Sequence, residues 1–325
     1  MKKKDIIEIP SVNLPAFNHV ISGRTTRQLF LLLTILCLFS AVRGIKGQTV
    51  KKPADIYSRD NLVAWCIVPF DAKERGPEAR AQMLNELGIT RLAYDWREKH
   101  IPSFDRELDA LRAHHIKLQS FWLPTGPDPA HDATIQKILD LLKRHHEKTE
   151  LWVMVGGIPG FDAMDQKQKV AAAAAPIAYL AKKAREIGCK IGLYNHGGWF
   201  GEPENQLAII DYLKMPNIGM VYNFSHSETQ IQRFDDYYPK ILPHLLCINL
   251  TGLIIPYPAT VVPIGTGNLE MKLIKKIHQS GYRGPIGIIN ENFAADAKIG
   301  LQMNMNGLNK ILKIIGDQKA LKTYE

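Results

Sequence analysis

Cysteine is scarce in this sequence, and its scarcity excludes a disulfide framework. Of four cysteines, Cys37 falls in an apolar N-terminal stretch, which leaves Cys66, Cys189 and Cys247 in the body of the chain. An odd set of widely spaced thiols is not the pattern of a stapled secreted domain. Cys66 and Cys247 sit in apolar strand-like runs, where a thiol reads as a small buried hydrophobe. Long apolar runs are missing too. Leu29–Val42 reads LFLLLTILCLFSAV, short of the roughly 20 residues that a transmembrane helix needs. No glycine-rich dinucleotide fingerprint follows the first strand-like run, which speaks against a dinucleotide-binding open sheet. Basic clustering is equally thin. The formal charge is +9, but residues 1–47 hold seven Lys/Arg against two Asp/Glu, and the rest of the chain holds 34 against 30. A near-balanced body without a long basic run or an aromatic-interleaved stripe argues against nucleic acid as a partner.

The N-terminal stretch has the order of an export signal. Lys2, Lys3, Lys4, Arg24 and Arg27 precede the apolar run, and Gly44 and Gly47 follow it. Charge, then apolar core, then small residues is the sequence of a secretory signal, here with a long charged region. Residues 1–47 are therefore expected to be a signal peptide or signal anchor and 48–60 a linker. The product is expected to be exported, periplasmic, or held to a membrane through that segment alone.

From Asn61 onward, short apolar runs alternate with longer stretches of helical spacing. The strand-like runs are Leu62–Pro69, Arg91–Trp96, Lys117–Pro124, Leu151–Gly157, Ile191–Gly198, Ile218–His226, Leu245–Gly252 and Pro285–Asn292. Between them lie helical patterns such as Ile135, Ile138, Leu139 and Leu142. Pro77 and Pro203 stand where a helix opens, Gly88 where one stops, and Pro176 is expected to break or kink the helix that holds Ala171–Ala175. Apolar strands alternating with amphipathic helices predict parallel strands buried on both faces. Eight such units predict a single (β/α)8 TIM barrel over residues 61–315, with 316–325 as a C-terminal tail; an open doubly wound sheet is the alternative.

In such a barrel the loops after the strands form the active face. Polar and aromatic residues gather there: Asp95 and Arg97 after strand two, and Trp122 in strand three. Asn195, His196 and Trp199 follow strand five, Asn223 and His226 strand six, Asn249 strand seven, and Asn290 and Glu291 strand eight. Amides and acids hydrogen-bond hydroxyls with direction, and tryptophan and tyrosine offer flat apolar faces to the C–H side of a sugar ring. A small carbohydrate is the expected partner. Asp95 beside Arg97 reads equally as a structural ion pair closing the barrel end.

YNHGGW after strand five, VYNFSH after strand six, CIN on strand seven and GPIGI before the last helix resemble the xylose isomerase-like barrels of the sugar phosphate isomerase/epimerase superfamily. The opening NLVAWCIVPFDAKERGPEARAQMLNELGI and LAYDWR resemble an exported branch of it, and the resemblance spans about residues 60–315. It implies proton abstraction next to a carbonyl: isomerisation, epimerisation, elimination or hydration of a sugar or keto-sugar. It also implies a divalent metal held by Glu, Asp, His and Glu at the ends of strands five to eight. Those positions fall close to Tyr194, Asn223, Asn249 and Asn290, none of them a carboxylate or an imidazole. A shifted set, His196, His226 and Glu291, would suit one divalent ion such as Mn, Zn or Mg.

On this reading His226 and Glu291 transfer protons and His196 polarises the substrate or binds metal. Asn195, Asn223, Asn249 and Asn290 donate to hydroxyls or an oxyanion, while Asp95, Arg97, Trp122 and Trp199 position the substrate. The alternative is a non-catalytic carbohydrate-binding barrel that has lost the family metal. A phosphodiester-cleaving barrel needs a multi-metal cluster rich in His, Asp and Glu, and the amide-rich strand ends disfavour it.

Overall fold

The structure, a computed structural model, describes residues 55–227, 229–255, 260–290 and 294–325. The expected signal segment lies outside the described residues. Eight parallel strands close a barrel. In chain order they are β1 (Leu62–Trp65), β2 (Arg91–Tyr94), β3 (Lys117–Thr125), β4 (Glu150–Val155), β5 (Lys190–Tyr194), β6 (Ile218–Asn223), β7 (Leu245–Leu250) and, after a small hairpin of β8 (Gly252–Ile254) and β9 (Thr260–Val262), β10 (Ile286–Ile289). Closure is made by β1 against β10, in register from Leu62 opposite Ile286 to Trp65 opposite Ile289. The open-sheet alternative is thereby excluded.

The helices form the outer layer. They are α1 (Pro77–Glu86), α2 (Phe104–Ala113), α3 (Ala133–Arg144), α4 (Gln166–Glu186), the single turn α5 (Gly198–Gly201), α6 (Pro203–Leu213), α7 (Phe234–Ile241), α8 (Glu270–Gln279), α9 (Ala297–Ile315) and α10 (Gln318–Leu321). Pro77 and Pro203 each open their helix at the first turn, as expected. Among the described residues no helix is long and apolar enough to cross a membrane.

The strand period of two sorts side chains into two cores. On β1, Leu62 and Ala64 face the helices while Val63 and Trp65 face the barrel axis. The same alternation turns Trp152, Tyr194, Val221, Cys247 and Ile289 inward. Cys66, Cys189 and Cys247 are buried. The inward residues at the last strand positions, Trp65 and Tyr194 above all, form the floor of the C-terminal rim.

Three local features depart from the sequence reading. Helix α4 runs unbroken through Pro176. An interior proline costs about 3 kcal/mol, and burial of Ala173, Ala174, Ile177, Leu180 and Ala181 against the barrel offsets that cost. The seventh strand ends at Leu250, and the chain leaves the barrel as the β8–β9 hairpin. Gly252 permits this exit, because a Cβ there would meet the Pro263 carbonyl oxygen at 2.3 Å. Residues beyond α9 are anchored: Ala320 is buried, and the Tyr324 hydroxyl donates to the Tyr57 carbonyl at 2.7 Å.

Candidate active site

A cavity of about 300 Å³ opens at the C-terminal rim, lined by Trp65, Cys66, Phe70, Asp95, Arg97, Trp122, Tyr194, His196 and His226. Its floor is aromatic. The Trp65 indole N–H donates to the Tyr194 hydroxyl at 2.9 Å, and that hydroxyl also accepts from the Asn223 amide. Trp122 crosses Tyr194 edge-on with ring centroids 5.0 Å apart, and Trp152 stacks beneath Tyr194 at 5.8 Å. Edge-to-face packing of this kind fixes ring positions as well as filling space.

Two histidines rise from that floor. His196 follows β5 and His226 closes the short turn after β6, with ring centroids 4.1 Å apart. The asparagines set this proximity. The Asn195 carboxamide accepts from the Asn223 backbone N–H at 2.6 Å and donates to the Asn223 carbonyl at 3.0 Å. The Asn223 side chain in turn accepts from the Ser225 backbone N–H at 3.0 Å and caps the turn that ends in His226. Burial, and then the neighbouring His196, lower the His226 pKa to about 4. The imidazole is neutral at pH 7.

Asp95 is the carboxyl group in the cavity lining. It follows β2, is 2% exposed, and accepts from the Val68 backbone N–H at 3.2 Å through one oxygen. The other oxygen, Oδ2, has no hydrogen-bond partner. Desolvation raises the Asp95 pKa to about 7, against the opposing pull of the Arg97 charge. The ion-pair reading of Asp95 and Arg97 is corrected here: the Arg97 guanidinium donates to the backbone carbonyls of Asp95 and Trp96, each at 2.8 Å, and not to the carboxylate. The short reach from residue 97 back to its own chain favours these carbonyls. Arg97 also lies 5.9 Å over the Phe70 ring.

Of the residues expected at the site, Asp95, Arg97, Trp122, His196 and His226 line the cavity together. The amides stand elsewhere. Asn195 and Asn223 are fully buried and engaged as described. Asn290 donates to the Phe70 carbonyl at 2.8 Å and so holds one cavity wall. Asn249 is buried in the barrel interior beside Cys247, whose thiol donates to the Asn249 side-chain Oδ1 at 3.4 Å. Trp199 lines a second cavity of about 330 Å³ with Phe161 and Asp162, and its indole N–H donates to Gln166 at 2.9 Å. Glu291 lies outside the described residues. Cys66, Phe70 and Tyr194 were missed as cavity walls. Cys66 adopts a left-handed φ of 56°, a bend after β1 that apolar content does not signal. For Tyr194 the inward period of β5 was the available signal.

The metal set implied by the resemblance does not fit. At its four positions the Tyr194 hydroxyl and the Asn223 and Asn290 amides are engaged within the protein, and Asn249 brings no charge. Neutral amides without a carboxylate hold a hard divalent ion poorly. Among the described residues, His196 and His226 have no third ligand close enough to complete a site.

A closed parallel barrel of eight strands ringed by helices is a (β/α)8 barrel. The chain belongs to the xylose isomerase-like TIM barrel family, whose pattern residues 69–305 match. No curated protein matches it by sequence. Among solved structures it is similar to the apo form of 3-keto-D-glucoside 4-epimerase from E. coli, at 10% identity and a TM-score of 0.58 over 78% of this chain and 99% of that one. It is similar to the probable 3-DHS dehydratase of petrobactin synthesis from Bacillus anthracis, at 14% identity and a TM-score of 0.56 over 76% and 98%. The IOLI protein with a bound zinc atom aligns at 12% identity and a TM-score of 0.58 over 78% and 98%. At these identities the likeness is one of fold.

Proposed function

We propose that the cavity binds one sugar or keto-sugar unit and moves a proton at the carbon next to its carbonyl, giving isomerisation, epimerisation or elimination. The observation that carries this reading is the Asp95 carboxyl, which lines the cavity, keeps one buried oxygen without a hydrogen-bond partner and has a pKa of about 7. A base poised near the working pH is what proton abstraction needs. The neutral imidazole of His226 accepts or returns a second proton, and His196, 4.1 Å away, hydrogen-bonds the carbonyl oxygen as negative charge develops on it. Glu291 is the further proton-transfer candidate from the sequence. Trp65, Trp122 and Tyr194 face the C–H side of the ring, and Arg97 and Phe70 close the mouth. A cavity of about 300 Å³ is at the small end for ligand sites, which run about 300–1,000 Å³, and suits a single ring. A keto-glucoside epimerase and a dehydratase on the same fold support this class of chemistry.

The test is incubation with aldo- and keto-sugars, 3-keto-glycosides included, in deuterated water. Exchange at carbon, lost in Asp95→Asn, supports the reading. Sugar binding without exchange or product across the panel contradicts it and favours a second reading, a carbohydrate-binding barrel without turnover. Tyr194, Asn223, Asn249 and Asn290 at the family's ligand positions are the observation behind that alternative.

We further propose that residues 1–47 direct export to the periplasm, on the charge and apolar order given above. Fusion of this segment to a reporter active only outside the cytoplasm tests it, and an inactive but intact fusion contradicts it.

A further inference from the structure

We propose that Asp55, His278 and Asp317 form a structural site for a divalent transition-metal ion at the opposite end of the barrel from the cavity. Asp55 leads into β1, His278 ends α8, whose chain then enters β10, and Asp317 joins α9 to α10. All three therefore stand at the N-terminal face of the strands. One ligand atom from each lies within 4.8 Å of the others.

Two observations beyond proximity point to a cation. First, the Asp317 side chain is 3% exposed and its Oδ2 has no hydrogen-bond partner; the His278 Nδ1 facing it at 3.4 Å has none either. Each carboxylate already spends one oxygen on the backbone: Asp317 Oδ1 accepts from the Ala320 N–H at 3.0 Å, and Asp55 Oδ1 from the Tyr57 N–H at 3.4 Å. Second, among the described residues the lysine paired with these acids is Lys319. The Lys319 ammonium lies 3.7 Å from Asp55 and is 60% exposed, so it screens the pair weakly. Two carboxylates and an imidazole nitrogen left in mutual contact are costly unless a shared positive charge joins them. A divalent ion neutralises both acids and satisfies the idle nitrogen. Stacking on Tyr57, with ring centroids 6.1 Å apart, fixes the imidazole plane as an outer support fixes a ligating histidine.

Two oxygens and one nitrogen suit zinc or manganese, with water completing the shell, and zinc binds such mixed sets more tightly than manganese. The ion joins the segment entering the first strand to the two C-terminal helices and so staples the chain ends where the barrel closes. It takes no part in the chemistry at the rim.

The experiment is zinc and manganese titration of the full chain after chelator treatment, read by bound equivalents and by Tm. Variants are Asp55→Asn, Asp317→Asn, which keeps an oxygen for the Ala320 N–H, and His226→Ala as a control for any ion at the rim. At free zinc about a hundredfold above its Kd, Tm is expected to rise by roughly 5–10 °C. Asp55→Asn and Asp317→Asn lose one bound equivalent and that rise, with secondary structure unchanged in the chelated protein, while His226→Ala keeps both. Zinc binding and stabilisation undiminished in both aspartate variants overturn the proposal. So does the absence of any bound equivalent in the parent chain.

Discussion

The Asn195 carboxamide grips the peptide of Asn223 from both sides, accepting from its N–H at 2.6 Å and donating to its carbonyl at 3.0 Å. This clamp ties the end of β5 to the end of β6, and the residues just beyond it are His196 and His226. Asn195→Ala removes both bonds and leaves a buried N–H and C=O unpaired, at a cost of about 1–3 kcal/mol each. The expected outcome is a stability loss of a few kcal/mol by denaturant melt, with turnover falling more than about tenfold as the histidine pair loosens. Asn195→Asp, which keeps the acceptor alone, should fall between.

Asp95 and His226 impose opposite pH slopes on stability. The Asp95 pKa rises from 3.8 to about 7 on folding, so the native state holds the extra proton and stability falls as pH rises across that window. The His226 pKa drops from 6.5 to about 4, so the native state binds fewer protons and stability rises with pH across the same range. Between about pH 4 and 6.5 the two slopes cancel in the parent. Asp95→Asn should show stability increasing with pH over this range, and His226→Gln should show it decreasing, by up to about 2–3 kcal/mol in either direction. Chemical melts at several pH values read this. Parallel curves for the two variants contradict it.

The Asn290 side-chain amide holds the Phe70 carbonyl, in the wall of the proposed substrate cavity, at 2.8 Å. Asn290→Ala frees that wall without touching the proton-transfer groups. KM should rise roughly tenfold with kcat changed much less, in line with lost binding that is shared by ground and transition states. A fall confined to kcat would assign Asn290 a different role.

Trp152 is fully buried beneath Tyr194, and its indole N–H donates to Glu150 at 2.8 Å. Trp152→Ala should cost about 3–5 kcal/mol, measurable by thermal or denaturant unfolding. Trp152→Phe should recover most of the packing and leave the Glu150 oxygen short of one donor.

The barrel was legible because eight apolar runs spaced by helical patterns leave few other ways to bury both strand faces. The site was only half legible. Position at a strand's C-terminal end identified Asp95, His196, His226 and Trp122 as residues of one rim. It could not say whether an amide meets solvent or its own backbone, so Asn195 and Asn290 were expected to donate to substrate when they serve neighbouring peptides. Nor does spacing reveal that Arg97 bends back onto the Asp95 and Trp96 carbonyls, which is what leaves the Asp95 carboxylate without an arginine hydrogen bond. The Asp55, His278 and Asp317 cluster was invisible for a simpler reason. Its members are far apart in sequence and meet only because the barrel brings its first strand to its last helices.

Asp95 is the proposed proton-transfer base. Its most direct test is the pH dependence of carbon–deuterium exchange into a bound keto-sugar, parent against Asp95→Asn. The base acts ionised, so exchange in the parent should climb with pH through a midpoint of about 7, and the variant should lose that limb and fall about 100- to 10,000-fold. A parent profile flat from pH 5 to about 8, or a variant that exchanges as fast as the parent, would contradict the account.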